Sequence, residues 1–178
     1  MLYFTRKINY LGSAIAKRAQ AFGVKTIGLN KSGNSAEFFD KIFPISMLEN
    51  IIVRADFLIL ALPLTNDTKL IITEKELNLL PESAVVINLG RGELISEEAI
   101  ARVLSAKRIR GAALDVFWQE PLPPESPLWQ TPNLLITPHM AAKTNRFLDR
   151  CIDTFIQNYD LYIQGKSLMN QANFVQGY

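Results

Sequence analysis

The sequence predicts an α/β protein built on a parallel sheet. Short, nearly continuous apolar runs alternate along the chain with amphipathic segments, and its 178 residues suffice for one domain with a sizeable core. Continuous rather than alternating apolarity is typical of strands that are buried on both faces, as in a parallel sheet covered by helices. The β-α-β-α order therefore favours right-handed crossovers within a single sheet.

Five apolar runs are predicted to contribute strands. Each is short, and most end in polar residues or proline, which bound strands well. The runs are residues 25–30, 56–62, 84–89, 109–117 and 133–139. In such sheets, ligand sites lie at the carboxyl ends of the strands, so the residues that follow each run are the candidates for chemistry.

Two helices are predicted between the strands. In residues 13–23, Ile15, Ala19 and Phe22 recur at helical spacing and are expected to form one buried face. The segment 96–111 begins with Ser96, a good N-cap, followed by two glutamates that suit the first turn of a helix. Its apolar stripe runs through Ile100, Val103 and Leu104.

A third helix is predicted near the end of the chain, over about residues 144–164. Phe147, Cys151, Phe155 and Tyr159 recur every four residues and are interpreted as core or interface packing. Cys151 is the only cysteine, which excludes an internal disulfide, and it is interpreted as a packing residue rather than a nucleophile.

Composition points to a globular protein of the cytoplasm. Apolar residues make up 48% of the chain, charged residues make up 20%, and the net charge is +2. This balance gives no reason to expect a nucleic acid or a membrane as partner. No apolar run approaches the roughly 18 residues that a membrane span requires, no signal-peptide pattern is present, and no metal is expected.

Four polar residues lie at or beyond the ends of three predicted strands and are expected at one rim of the sheet. Arg91 follows the run 84–89, Asp115 and Glu120 end or follow the run 109–117, and His139 follows "LLIT". Because parallel strands end at the same edge, these side chains are candidates for a common site.

These segments resemble the D-isomer-specific 2-hydroxyacid dehydrogenases. The resemblance lies in "ADFLILALPLTNDT", "VVINLGRGELISEEAI", "GAALDVFWQEPLP" and "PNLLITPHMAAKT", in that order, and in the terminal "NYDLYIQGKSLMNQ". It implies a Rossmann-type, doubly wound parallel sheet that binds NAD or NADP. It also implies an oxidoreductase of the glyoxylate or hydroxypyruvate reductase type, acting on a small 2-keto or 2-hydroxy acid.

The resemblance implies three catalytic roles. Arg91 would hold the carboxylate and carbonyl of the substrate, and its planar guanidinium suits an anionic 2-keto acid. His139 would exchange a proton with the substrate oxygen, which suits the titration range of histidine. Glu120 would pair with His139, and a neighbouring carboxylate stabilises an imidazolium.

The resemblance also implies the cofactor contacts. Asp115 would face the nicotinamide amide, and the residues expected to line the rest of the cofactor site are Tyr10, Leu11, Gly12, Pro63, Thr68, Leu89, Gly90, Ala141 and Ala142. An acidic residue normally ends the second strand and binds the ribose hydroxyls, but Asn30 stands there. Without that carboxylate, Lys31 and Ser32 would be able to bind a 2′-phosphate. NADP is therefore the preferred cofactor and NAD the alternative.

The resemblance places the first strand of the sheet within residues 1–10, where it is degenerate. The glycine-rich turn of the dinucleotide fingerprint is incomplete as well. Gly12 resembles its third glycine, whereas Lys7 and Asn9 stand where the first two are expected. Glycines there let the backbone approach the pyrophosphate closely. The two substitutions are therefore expected to weaken cofactor binding.

The expected organisation is a cofactor domain over residues 1–146 and a terminal helix and tail over residues 147–178. The resemblance implies that the second part packs on a substrate domain that precedes the cofactor domain in the family. We expect that domain to be missing from an N-terminally truncated chain, through a frameshift, a wrong start codon or a true truncation. The resemblance also implies a homodimer formed through the cofactor domain.

Three functions remain open at the level of sequence. The first is a 2-hydroxyacid dehydrogenase, with activity impaired by the truncation. The second is a non-catalytic module that senses NAD(P) or acts as a scaffold. The third is an inactive gene remnant. Turnover of a keto acid would exclude the third, and cofactor binding without turnover would favour the second.

Overall fold

A computed structural model of the chain describes residues 2–4, 10–31 and 33–171. Within these residues the architecture is a seven-stranded sheet in which every pairing is parallel. The strands are β1 (Leu2–Phe4), β2 (Ile27–Asn30), β3 (Lys41–Pro44), β4 (Phe57–Leu60), β5 (Val85–Asn88), β6 (Gly111–Leu114) and β7 (Leu134–Ile136). The helices are α1 (Tyr10–Ala21), α2 (Leu48–Ile52), α3 (Glu74–Leu79), α4 (Glu97–Ser105) and α5 (Phe147–Ile163).

The strand order confirms the predicted doubly wound sheet. Neighbouring strands run in the order β3-β2-β1-β4-β5-β6-β7, so the order reverses between β1 and β4. This switch point is where open α/β sheets bind ligands, beyond the carboxyl ends of the strands. All five apolar runs contribute strands, β1 lies where the degenerate first strand is expected, and β3 is the one further strand among the described residues.

The core forms where the apolar runs of the central strands meet the helices. Leu58 and Leu60 of β4 and Val86 of β5 are fully buried. Ile100 and Leu104 of α4 are fully buried as well, which confirms the predicted stripe of that helix. Burial of each such side chain contributes about 1.5–3 kcal/mol to folding. This cluster fixes β4, β5 and β6, whose carboxyl ends carry most of the candidate site.

Helix α4 begins as predicted but ends earlier. Ser96 is its N-cap, and the Ser96 hydroxyl accepts the Ala99 N–H at 3.2 Å. The helix stops at Ser105 rather than continuing to residue 111. Lys107 adopts a positive φ of 55°, which reverses the chain. The chain then enters β6, whose backbone pairs with β5 and β7.

The buried face of α1 differs from the prediction. Gly12, Ala16 and Ala19 are buried, whereas Phe22 lies beyond the helix and is 85% exposed. Small residues at helical spacing therefore form the packed face of α1. They allow the helix to approach its neighbours closely, which a face containing Phe22 would prevent.

The chain divides into two compact units, Met1–Pro138 and His139–Tyr178. The second unit contains α5, whose residues Phe147, Cys151, Phe155 and Tyr159 are all exposed. Core packing was therefore the wrong interpretation of that stripe within this chain, and an interface role stays a prediction. The assignment of residues 147–178 to a substrate domain also stays a prediction. None of the helices among the described residues is both long and apolar enough to cross a membrane.

Candidate active site

The turn that follows β5 is organised by a buried asparagine. Asn88 is completely buried at the end of the strand. Its Nδ2 donates to the Arg91 carbonyl at 2.9 Å, and its Oδ1 accepts the Gly90 N–H at 3.1 Å. Because both ends of the amide are bonded to the turn, Asn88 fixes the backbone that carries Arg91. Sequence reasoning missed this role, although a polar residue that ends a buried strand was a visible signal.

Arg91 itself is exposed. Its Nη1 donates to the Gly90 carbonyl at 2.7 Å, which holds the side chain against its own turn. A guanidinium has five N–H donors in a planar arrangement. This bond therefore leaves donors with which Arg91 is able to bind a carboxylate.

Two glycines of this turn are packed against backbone. A Cβ on Gly90 would lie 2.8 Å from the Leu62 carbonyl oxygen, and a Cβ on Gly92 would lie 2.0 Å from the Phe117 carbonyl carbon. Real Cβ atoms do not approach other atoms so closely. The turn after β5 therefore requires glycine at both positions, because neighbouring segments of the main chain occupy the space.

Asp115, which follows β6, is buried and receives a short hydrogen bond from the next strand end. It is 3% exposed, and its backbone N–H donates to the Asn88 carbonyl at 3.1 Å. Thr137, which follows β7, donates its hydroxyl to Asp115 Oδ1 at 2.5 Å. A buried carboxylate requires such donors. Thr137 thus orients the side chain that was predicted to face the nicotinamide.

Replacing Thr137 with valine is expected to lower the free energy of unfolding by about 1–3 kcal/mol, because a buried carboxylate loses a hydrogen bond. Urea unfolding followed by circular dichroism measures the change. Thr131→Val is the matched control. The Thr131 hydroxyl donates to the Pro127 carbonyl at 3.0 Å in an exposed setting, so a loss below about 1 kcal/mol is expected there. Equal losses in the two variants would contradict the role of Thr137.

Glu120 closes a tight turn after β6. Its Oε1 accepts the Phe117 N–H at 3.0 Å, and the side chain is exposed at the surface. The peptide bond from Glu120 to Pro121 is cis. Glu120 belongs to the same compact unit as Arg91, whereas His139 belongs to the second unit. The pairing of Glu120 with His139 stays a prediction.

His139 begins the second unit in an uncommon backbone conformation. Its φ is 47°, in the left-handed region that few residues other than glycine adopt. The side chain is exposed and lines an open hollow together with Ala142, Lys143 and Thr144. Ala141 and Ala142, which were predicted to contact the cofactor, follow in the same exposed segment.

The end of β2 carries the residues that were predicted to select the cofactor. Asn30 is 3% exposed, and its Oδ1 accepts the Gly33 N–H at 2.5 Å while its Nδ2 donates to the Asn34 carbonyl at 2.9 Å. The Asn30 amide therefore folds its own loop. Lys31 is exposed, with its Nζ 3.7 Å from Asp67 Oδ2. Ser32 lies outside the described residues.

The remaining predicted cofactor residues lie at the start of α1 and after β4 and β5. Leu11 is exposed, Gly12 is buried in the first turn of α1, and the backbone of Tyr10 begins that helix. Lys7 and Asn9 lie outside the described residues. Leu89, after β5, donates its N–H to the Leu60 carbonyl at 3.0 Å.

Thr68 serves the loop after β4. Its hydroxyl donates to the Pro63 carbonyl at 2.7 Å and accepts the Thr65 N–H at 2.8 Å, and the residue is 2% exposed. It thus shapes the loop that begins at Pro63, a role that sequence reasoning did not assign to it.

In the unit Met1–Pro138, the carboxyl ends of the strands have features that suit the binding of a dinucleotide. Helix α1 is the next described element after β1 in the chain, and Gly12 is buried in its first turn. The N-terminus of a helix at this position favours a phosphate.

Comparison with known proteins agrees with this geometry. Residues 9–141 match the family model of the D-isomer specific 2-hydroxyacid dehydrogenase, NAD binding domain. A glyoxylate/hydroxypyruvate reductase A from Citrobacter koseri is 34% identical over 168 residues, which cover 94% of this chain and 53% of that protein. A glyoxylate reductase from Korarchaeum cryptofilum is 31% identical over 165 residues, covering 92% and 49% of the two chains. The chain thus spans about half the length of the curated relatives it matches.

Solved structures show the same fold. The NADPH-dependent glyoxylate/hydroxypyruvate reductase from Sinorhizobium meliloti, in complex with NADP and sulfate, is 31% identical, with a TM-score of 0.90 over 100% of this chain and 57% of that one. A D-isomer specific 2-hydroxyacid dehydrogenase from Xanthobacter autotrophicus, in complex with NADPH and MES, is 28% identical, with a TM-score of 0.89 over 100% of this chain and 73% of that one. This chain therefore belongs to the D-isomer specific 2-hydroxyacid dehydrogenases, a family of NAD(P)-dependent oxidoreductases, and carries their NAD-binding domain.

Proposed function

We propose that this chain binds a nicotinamide dinucleotide at the carboxyl edge of its sheet and reduces a small 2-keto acid of the glyoxylate or hydroxypyruvate type. The observation that carries the proposal is the Arg91 turn. Buried Asn88 fixes the backbone that carries the exposed Arg91 side chain, and the Gly90 carbonyl holds the guanidinium against that turn, within an NAD-binding domain. A fixed planar cation is suited to hold an anionic substrate in one orientation.

The residues would act in the following way. Arg91 binds the substrate carboxylate and carbonyl oxygen, so that the carbonyl is polarised and oriented. His139 donates a proton to that oxygen, and Glu120 stabilises the protonated imidazole. The bound nicotinamide supplies or accepts the hydride. Asp115, oriented by Thr137, would face the nicotinamide amide, and the first turn of α1 with Leu11 and Gly12 would receive the pyrophosphate.

The assay that tests this proposal is oxidation of NADPH or NADH by the purified chain with glyoxylate or hydroxypyruvate. We expect turnover that is lost in His139→Gln, while calorimetry finds unchanged cofactor binding in that variant. Cofactor binding without turnover in the unmodified chain would favour the sensing or scaffold function. Absence of both would favour the inactive remnant.

NADP is the proposed cofactor. Asn30 contributes by its lack of charge. Its amide is engaged within its own loop, and it presents no carboxylate that would repel a 2′-phosphate. Lys31 is exposed beside it, and its ion pair with Asp67 is of the exposed kind that contributes at most about 1 kcal/mol. The phosphate is therefore able to displace Asp67 from Lys31.

Lys31→Gln is expected to weaken NADP binding about tenfold, which corresponds to the loss of one charge-assisted hydrogen bond, and to leave NAD binding unchanged. Isothermal titration of both cofactors measures the two affinities. Lys41→Gln is the control, because Lys41 is an exposed lysine at the amino end of β3, whereas Lys31 follows the carboxyl end of β2. Tighter binding of NAD than of NADP by the unmodified chain would contradict the preference.

The assembly of the chain is part of the same proposal. The first unit would act as the cofactor domain in a cytoplasmic enzyme, and α5 would pack on a substrate domain. The exposed apolar side chains of α5, among them Phe155 and Tyr162, support such packing. Pairing of two chains through the cofactor domain is expected, and light scattering during size-exclusion chromatography measures it.

A further inference from the structure

The Arg91 turn and the Glu120 turn are in direct backbone contact. The position that a Cβ of Gly92 would occupy lies 2.0 Å from the Phe117 carbonyl carbon and 2.5 Å from the Trp118 nitrogen. Gly92 therefore packs flat against the peptide that joins Phe117 to Trp118. A displacement of this peptide would shift the turn after β5 and the turn after β6 relative to each other.

Two glutamates hold consecutive amides of the second turn. The Phe117 N–H donates to Glu120 Oε1 at 3.0 Å, and the Trp118 N–H donates to Glu97 Oε1 at 2.7 Å. Glu120 is the residue with a proposed role in catalysis, whereas Glu97 begins α4 and has no role assigned so far. The bond to Glu97 therefore ties the Glu120 turn to the helix that follows the Arg91 turn.

The Trp118 side chain makes a second connection to the same place. Its Nε1 donates to the Ile95 carbonyl at 2.9 Å, just before α4 begins. Ile95 in turn donates its N–H to the Gly92 carbonyl at 3.2 Å. The main chain and side chain of Trp118 are thus both bonded to the segment that runs from Arg91 into α4.

We propose that Glu97, through Trp118, fixes the Arg91 turn against the Glu120 turn and is thereby a positioning residue for reduction of the keto acid. This inference rests on the function proposed above. A substrate bound by Arg91 must be held in one orientation relative to Glu120 and the groups around it. Small displacements from that orientation lower the reaction rate strongly. Glu97 acts through the backbone of Trp118 and has no contact with substrate in this proposal.

Glu97 is partly buried, as expected of a carboxylate with a structural role rather than of a solvent-exposed charge. Burial raises the pKa of the Glu97 carboxyl, and the hydrogen bond from the Trp118 N–H opposes that rise. Its neighbour Glu98 lies in the same first turn of α4, is exposed, and lies 3.6 Å from Arg102. Both carboxylates suit the helix N-terminus electrostatically, so Glu98→Ala is the control for the loss of a negative charge there.

The experiment compares Glu97→Ala, Glu97→Gln and Glu98→Ala in the full chain. Hydrogen exchange measured by mass spectrometry reports the stability of the peptides that span residues 89–93 and 116–120. Faster exchange in both peptides is expected for Glu97→Ala alone, because Gln retains an acceptor for the Trp118 N–H. Steady-state assays are expected to show about a tenfold loss of kcat/KM for the keto acid in Glu97→Ala, the equivalent of one hydrogen bond to a charged group. The KM for NADPH is expected to stay unchanged.

The two measurements separate the inference from the proposed function. Unchanged exchange in Glu97→Ala would overturn the link between the turns, whatever the activity. Faster exchange with unaltered kcat/KM would show that the link is structural and would overturn the positioning role. Faster exchange in a chain whose unmodified form has no turnover would overturn the proposed function and the positioning role with it. If Glu97→Ala fails to fold, Glu97→Asp takes its place, because its shorter side chain keeps the charge but draws the carboxylate away from the Trp118 N–H.

Discussion

Gly92→Ala is expected to lower the free energy of unfolding by about 3 kcal/mol or more, the upper range for inserting an atom into a packed region. The new Cβ would lie 2.0 Å from the Phe117 carbonyl carbon and 2.2 Å from the Phe117 oxygen. Both are backbone atoms, so no flexible side chain is available to move aside. One of the two turns must therefore shift as a whole. Urea unfolding measures the loss of stability.

Gly111→Ala is the matched control for this prediction. Gly111 begins β6 in the same sheet, and a Cβ there would lie 3.1 Å from the Asn133 carbonyl oxygen. A displacement of a few tenths of an ångström relieves that contact. The loss is expected to stay below about 1 kcal/mol, partly because alanine restricts the unfolded chain more than glycine does. Equal losses in the two variants would contradict the close packing of the two turns.

The stability lost in Gly92→Ala and the activity lost in Glu97→Ala have a common origin in this structure. Gly92 and Glu97 lie on the same short segment after β5, and both meet the peptide before Trp118. Gly92 packs directly against this peptide, and Glu97 accepts a hydrogen bond from its N–H. The first substitution separates the turns by steric force, whereas the second only releases a bond, so the first is expected to affect folding and the second chiefly geometry.

Most of the fold could be predicted because burial leaves a direct signature in the sequence. β4 and β5 are central strands, and their uninterrupted apolar runs identify them without any tertiary information. β3 lacks this signature, since it is a half-buried edge strand of four residues with proline at its end. Helix α2 has five residues, too few to display a helical period.

Helix α3 was missed although the sequence contained its start signal. Thr73 and Glu76 form a reciprocal capping box, with the Thr73 N–H donating to Glu76 Oε2 at 2.8 Å. A threonine followed three residues later by glutamate predicts a helix N-terminus. The helix of six residues was too short for periodicity to support that signal.

The chemistry of the site was less predictable than its location. Residues that follow the strands could be read from the sequence, because parallel strands end at one edge. Whether a polar side chain there serves a ligand or its own loop depends on contacts made after folding. Asn30 and Thr68 were predicted as ligand contacts, yet their polar atoms bond within their loops. Asn88 and Glu97 were overlooked for the same reason, since their partners are backbone groups of turns.

Arg91→Gln is expected to have the largest effect on activity, with a fall in kcat/KM for the keto acid of about 100-fold or more. Loss of a charge-assisted, two-pronged hydrogen bond to a carboxylate accounts for about 3 kcal/mol. Cofactor affinity is expected to stay within about twofold, because Arg91 is assigned to substrate and not to dinucleotide. The measurements are steady-state kinetics with glyoxylate and calorimetric titration of NADP.

Two further variants identify the property of Arg91 that matters. Arg91→Lys keeps the charge but loses the planar pair of donors, so it is expected to recover only part of the activity. Arg110→Gln is the control, because Arg110 is an exposed arginine that precedes the amino end of β6, whereas Arg91 follows the carboxyl end of β5. Full activity in Arg91→Lys would mean that charge alone binds the substrate. Full activity in Arg91→Gln would remove Arg91 from the mechanism. In that case the bonds of Asn88 within the turn would serve only to stabilise the end of β5.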